Sequence, residues 1–200
     1  MADQQRRTVD AGSLPGLAHP LRVQLLDQLT LYGPATATQL GVRLHESSGA
    51  TSYHLRQLER YGFVEEDPGR GSGRERWWRR VAGGLSINTP DLNDQPGLRD
   101  ATTLVVNEFH RGRALRAEHW RATFERWPRA WQDASAEGTS HFRLTAAEMG
   151  QLSEDIDDLL TSWRDRVADR VGDQYHHVEV QHSIFPLPDP SAPGDGVPSA

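Results

Sequence analysis

Cysteine is absent from the 200 residues. That excludes a disulfide framework, a thiolate metal site and a cysteine nucleophile. Lysine is absent too, since all 22 basic residues are arginine. Guanidinium favours bidentate contact with planar anions, although an all-arginine census is also what a GC-rich genome produces. No run approaches the roughly 18 apolar residues a membrane span needs, and no charged-then-apolar signal segment opens the chain. The expected location is the cytoplasm. Neither a Gly-x-Ser-x-Gly elbow nor a His-Glu-x-x-His pair occurs, so nothing points to an enzyme. What is present is ordinary for a soluble globular chain of one or two domains: 36% hydrophobic and 25% charged residues.

The net charge of -6 hides an asymmetry. Residues 1–82 hold 11 Arg against 9 Asp and Glu, giving +2, whereas residues 83–200 hold 11 Arg against 19, giving -8. Phosphate contact needs a local positive face rather than a positive total, so a basic end joined to an acidic end hints at nucleic acid.

The stretch Ser47–Gly62 reads as a short helix. Ser48 is its expected N-cap and Gly62 its left-handed C-terminal stop. Thr51, Leu55 and Leu58 form an apolar stripe at i, i+4 and i+7. Gly49, Tyr53, Arg56 and Arg60 point the other way, with Ala50 and Ser52 on the flanks and His54 near the core boundary. A slim first turn followed by Tyr, His and Arg suits a major groove, where Arg pairs with guanine or phosphate. The plainer reading is a solvated helix face, and the flanking segments decide between the two.

Residues 1–13 are polar, lack periodicity and are expected to be disordered. A helical pattern starts near Ser13-Leu14-Pro15 and restarts at His19-Pro20. Leu21, Leu25, Leu26 and Leu29 form its apolar face, and Gly33-Pro34 ends it. Thr36 or Thr38 caps the next short helix, which runs to Leu44 with Leu40 inward. A turn at 45–47 then leads into the Ser47–Gly62 helix, a helix-turn-helix arrangement. Phe63–Glu66 and Arg76–Val81 read as two strands of a hairpin with a Gly- and Arg-rich tip, Pro68–Arg74. The tip joins two strands and lacks a following Lys-Ser/Thr, so it is no P-loop. Arg70 and Arg74 on such a hairpin make a wing.

With Leu17–Arg22, Ala50–Leu58 and Tyr61–Val64 in this order and spacing, residues 14–82 resemble the winged helix-turn-helix of ArsR-like bacterial transcriptional regulators. The resemblance implies a dimeric, operator-binding protein that responds to a signal. Metal-sensing relatives carry a cysteine pair before the recognition helix. This chain reads Thr36-Ala37-Thr38 there, so a thiolate metal response is not implied. The DNA-contacting set is then Ser48, Gly49, Ala50, Ser52, Tyr53, His54, Arg56, Arg60, Arg70 and Arg74.

Gly83–Gly97, with Pro90 and Pro96, reads as a linker. A C-terminal domain for dimerisation and effector sensing is expected over 98–185, and a disordered tail over 186–200. A long helix is expected from Leu98 to Trp127, and about 45 Å of helix exceeds what a winged domain covers. Leu98, Val105, Phe109 and Leu115 are therefore the expected dimer contacts. Trp120, Trp127 and Trp163 are either core or the walls of an effector pocket. His141–Leu144 reads as a strand, Thr145–Glu148 as a capping box, the helix it opens as running to Gly172, and 176–185 as a strand. His176 and His182 share one side of that strand but lie ~20 Å apart. They cannot chelate one ion alone, and a site shared with His141 or across a dimer stays open. Asp155, Asp157 and Asp158 lack the glycine turn of a calcium loop and read as a solvated face. No metal or cofactor is expected.

The fold class expected is α+β, mainly α. The expected function is that of a DNA-binding transcriptional regulator on a near-palindromic operator. It would act as a homodimer and as a repressor modulated by a small-molecule or other signal through the C-terminal half. The alternative is a winged-helix protein-interaction module without sequence-specific DNA binding. The outward arginines disfavour it, since interaction surfaces are more often apolar at their centre.

Overall fold

The computed structural model describes residues 7–70, 75–83, 85–87, 89–168, 170 and 172–188. Its architecture is α+β and mainly α. It divides into two compact units, Met1–Gln132 and Asp133–Ala200.

In the first unit the chain opens with β1 (Arg7–Val9) and a 3-10 turn (Leu14–Gly16) before α1 (Pro20–Tyr32). His19 caps α1 through Nδ1, which accepts from the Leu21 amide, and Pro20 occupies the first turn, where no amide bond is forfeited. Leu21, Val23, Leu25, Leu26 and Leu29 are buried, and Gly33 ends the helix at φ 74°. The short strand β2 (Ala35–Thr36) leads into α2 (Ala37–Leu44). Thr36 and Gln39 satisfy each other's backbone amides there in a full capping box. After α3 (Ser48–Arg60) come β3 (Val64–Glu66) and β4 (Trp77–Arg80), antiparallel, with Glu65 opposite Arg79. β2 completes this three-stranded sheet in the order β2-β4-β3. Trp78 of β4 is buried in the core that the α1 leucines, Leu40, Leu55 and Leu58 share.

Three expectations are corrected here. The segment expected to be a disordered N-terminus contributes β1, which pairs in parallel with β5 (Leu85–Ile87). The expected linker contains β5 and α4 (Thr89–Asn93), whose Leu92 is buried. α5 (Arg99–Thr123) ends four residues short of Trp127. Trp127 precedes Pro128 and is extended (φ -78°, ψ 150°), as the proline ring requires of its predecessor. A 3-10 turn, Phe124–Arg126, makes the transition before α6 (Arg129–Ala134).

α5 packs on α1 of the same chain. Val105 is 0% exposed, and Leu98, Ala101 and Phe109 pack against the same core. Gln24 donates to Glu108, and Arg116 pairs with Asp27. Val105 is thus unavailable to a partner chain, whereas residues 106–123 of α5 are half-buried or exposed. Leu115, at 55% exposed, is the member of the expected dimer set that faces outward.

The second unit holds α7 (Ala146–Val167), opened by the Thr145–Glu148 capping box. It ends at Val167 rather than near Gly172. Neither His141–Leu144 nor 176–185 forms a strand, and both segments lie exposed except for Ile184, which is half-buried. Alternation makes a segment fit for pairing, but a strand exists only with a neighbour to bond. The expected tail from 186 onward lies mostly outside the described residues. Among the described residues no helix is long and apolar enough to cross a membrane.

Val105→Ala should lower unfolding stability by about 2 kcal/mol, through reduced burial and the cavity left behind. Leu115→Ala should change it by less than about 0.5 kcal/mol. Urea unfolding followed by circular dichroism checks both, and equal losses at the two positions would contradict this packing.

Candidate nucleic-acid interface

The turn between α2 and α3 is tight because Gly41 has no side chain. A Cβ there would lie 2.7 Å from the Glu46 carbonyl oxygen and 3.3 Å from Thr51 Oγ1. The Glu46 amide instead donates to the Gly41 carbonyl at 2.8 Å. His45 takes the left-handed conformation that reverses the chain (φ 57°, ψ 39°). Ser47, one residue before the expected cap Ser48, then caps α3 by accepting from the Ala50 amide. Ser48 is the first helical residue and is exposed. The Ser47 carbonyl also accepts from Thr51 Oγ1 at 2.9 Å, which satisfies the one hydroxyl on the buried stripe.

The far end of α3 closes as a Schellman motif. The Gly62 amide donates to Glu59 and the Phe63 amide to Leu58, with Gly62 at φ 71°. Leu58 and Phe63 are both buried, the apolar contact that accompanies this motif. Arg7 then reaches in from β1. Its guanidinium donates to the Tyr61 carbonyl at 2.6 Å and to that of Gly62, and lies over the Phe63 ring at 4.4 Å. A cation at a helix C-terminus meets the negative end of the dipole. Arg7 is the positioning residue that sequence reasoning missed, because its role depends on a strand pairing 78 residues away in sequence.

With Thr51, Leu55 and Leu58 at 0% exposure, the opposite side of α3 is fixed outward. Ser48, Gly49, Tyr53, Arg56 and Arg60 are exposed, and Ala50 and Ser52 half-exposed. Among the described residues Arg56 meets no carboxylate, while Arg60 lies over the Tyr61 ring at 5.9 Å. His54 turns inward and stacks on His19 of the α1 cap at 4.3 Å between ring centroids. Its Nδ1 is buried without a hydrogen-bond partner among the described residues. Burial holds its pKa below the ordinary imidazole range, His19 and Arg22 push the same way, and Glu46 opposes them.

The wing is more nearly neutral than its arginines suggest. Arg79 binds Glu65 at 2.9 Å directly across the ladder, and Arg76 binds Glu66 at 2.7 Å. Arg70 is within 3.5 Å of Asp67 yet remains well exposed. Arg74 lies outside the described residues. Of the aromatic set, Trp120 and Trp127 meet at 5.5 Å, and Trp120 also meets Phe124 edge-on at 5.3 Å. Trp163 belongs to the other unit, on α7, where Arg166 lies over it at 4.4 Å. The three do not come together within one unit. Among the described residues no group of three or more His, Asp or Glu is placed to hold a metal ion.

A family model described as a helix-turn-helix domain matches residues 17–67, which span α1 to the start of the wing. No curated protein matches the chain. Among solved structures the chain is similar to reduced HlyU from Vibrio cholerae, with 23% identity over 46% of this chain and 79% of that one, at a TM-score of 0.30. It is also similar to a possible transcriptional regulator for arsenical resistance, at 25% identity, 64% and 100% coverage and a TM-score of 0.31. A MarR family transcription regulator shares 17% identity over 80% of each chain, at a TM-score of 0.32.

Because the fold favours neutral His54, the unfolded chain binds the extra proton more readily. The stability linked to His54 is complete above about pH 6.5, the ordinary imidazole value, and is lost progressively as pH falls from there through the lowered folded-state value. Urea midpoints measured from pH 8 to pH 5 should therefore decline, and His54→Gln should flatten that decline. An identical pH profile in the variant would remove His54 as the cause.

Proposed function

We propose that this chain is a sequence-specific DNA-binding transcriptional regulator rather than an enzyme. Its proposed target is a near-palindromic operator, bound as a homodimer. One observation carries the reading. α3 is locked by its buried stripe and by both end caps, so that a slim first turn, Tyr53 and Arg56 stand outward beside a hairpin bearing Arg70. Ser48 and Gly49 allow close approach to base edges, and Arg56 supplies a fork for guanine or phosphate. Arg70, on a glycine-flanked tip, suits a phosphate better than a base. The helix-turn-helix match over residues 17–67 supports the same reading. Two copies would set their α3 helices about 34 Å apart, one turn of duplex.

The ArsR-like assignment, the repressor role and control by a small molecule through the second unit belong to this proposal as well. Trp120, Trp127 and Trp163 are weaker effector-pocket candidates than their number suggests, because they are divided between two units. An interaction module without DNA binding is the less favoured reading. The outward face of α3 carries guanidinium and hydroxyl groups rather than an apolar centre.

Arg56→Ala should cost about 1–3 kcal/mol on the cognate duplex and relax base preference at one position per half-site. Arg70→Ala should weaken cognate and scrambled duplexes alike and reduce the salt slope by about one unit for each phosphate left without its guanidinium. Because Asp67 competes for Arg70, Asp67→Asn should strengthen binding to both duplexes. Anisotropy titrations on the chain's own upstream region at several salt concentrations test all three. Equal losses on both duplexes for Arg56→Ala, with a cognate-only loss for Arg70→Ala, would reverse the assignment. Absence of cognate preference in the wild-type chain would favour the interaction module.

A further inference from the structure

We propose that the His19–His54 contact is a pH switch: a proton taken up at His54 unseats the outward face of α3, so that base preference is lost in mild acid while attraction to the DNA backbone remains. This deepens the DNA-binding reading proposed above and rests on it.

The seat of α3 on the start of α1 is polar, whereas the core around it is apolar. His54 stacks on His19 at 4.3 Å. His19 Nδ1 accepts from the Leu21 amide at 3.1 Å, so that nitrogen carries no proton. Tyr53, 56% exposed, meets the His54 ring edge-on at 5.1 Å and 78°. One side of His54 is thus the seat of α3, and the other supports an aromatic ring proposed to read bases.

The seat has no place for a second charge. His54 Nδ1 and Arg22 Nε are both buried without hydrogen-bond partners among the described residues. Arg22, which donates to the Pro15 carbonyl at 2.9 Å, is a permanent cation. A charged His54 would carry hydrogen on both nitrogens. It would place an N–H without an acceptor beside a guanidinium and a second imidazole. The other elements against α3 do not offset this. Glu46, in the turn before α3, favours the charge but is exposed. Arg43, the ionisable residue of α2, lies over the Tyr32 ring at 5.6 Å. On β3, Glu65 and Glu66 are paired with Arg79 and Arg76. The 3-10 turn Leu14–Gly16 has no ionisable side chain, and Arg7 is held at the far end of α3. Burial is the largest influence on His54 and opposes its charge. The neutral ring is therefore the seated one. The charged ring gains by turning to water, and Tyr53 then loses its support. The seat is complete above about pH 6.5 and weakens as pH falls from there, a range in which histidine is the ordinary side chain to titrate. Phosphate contact by Arg56 and Arg70 tolerates looser geometry and persists.

Anisotropy titrations of the full chain on cognate and scrambled duplexes at pH 7.5 and pH 5.5, at constant ionic strength, give the ratio of the two affinities. That ratio should fall by about three- to tenfold per bound copy, the effect of one proton over this range. Helix content by circular dichroism should be retained. In His54→Gln the ratio should stay level. In Glu46→Gln it should fall further, because the carboxylate that favours the charged ring is gone. A level ratio in the wild-type chain, an equal fall in His54→Gln, or a fall that tracks loss of helix would each overturn the switch. Ring resonances of Tyr53 and His54, followed by NMR from pH 8 to pH 5, test it without DNA and should titrate together. A Tyr53 ring indifferent to His54 would overturn the switch whatever the duplexes do. Joint titration in a chain without cognate preference at pH 7.5 would overturn the DNA reading and leave the unseating of α3 standing.

Discussion

The contact on which the rest depends is the one between the α2–α3 turn and Gly41. Two helices joined by so short a turn can meet only if one backbone passes within van der Waals range of the other. The 2.7 Å that separates a hypothetical Cβ from the Glu46 carbonyl leaves room for hydrogen and nothing larger. Everything that gives α3 its orientation follows from that approach. The left-handed His45, the Ser47 cap and the burial of Thr51 all lie within ten residues of it. A larger residue at 41 would shift α3 without itself lying on its outward face.

From that constraint the chain builds outward by layers. α1 supplies the leucine face on which α3 rests, the wing closes the core with Trp78, and α5 covers α1 from its other side. The polar contacts are placed where the layers meet: Arg116 with Asp27 and Gln24 with Glu108 between α1 and α5, and the imidazole stack between α1 and α3.

Local chemistry is legible in the sequence wherever a short-range rule applies. The proline at the start of α1, the apolar stripe of α3, Gly62 as its stop and the Thr145 capping box all rest on interactions within a few residues, and each stands where its rule puts it. Errors of one residue, such as Ser48 for Ser47, arise because adjacent serines satisfy the same rule. Partnerships across the chain are what escape. Arg7–Val9 is polar and ordinary alone and becomes a strand only because Leu85–Ile87 lies beside it. The reverse failure occurs at His141–Leu144 and at 176–185, where good alternation meets no neighbouring strand among the described residues. Val105 has a different cover from the expected one for a related reason. The stripe shows that a helix must be covered but not by whom, and α1 is able to do it. Of the set expected to contact DNA, the outward positions follow from the stripe, whereas the inward turn of His54 depends on a histidine 35 residues earlier.

Arg7 joins the extreme of the described chain to the last turn of α3. The consequence is practical as well as physical. β1 braces the C-terminal end of α3 through Arg7, so a change at Arg7 alters how that helix is held. Versions of the chain that differ at Arg7 are therefore not equivalent in how the last turn of α3 is held.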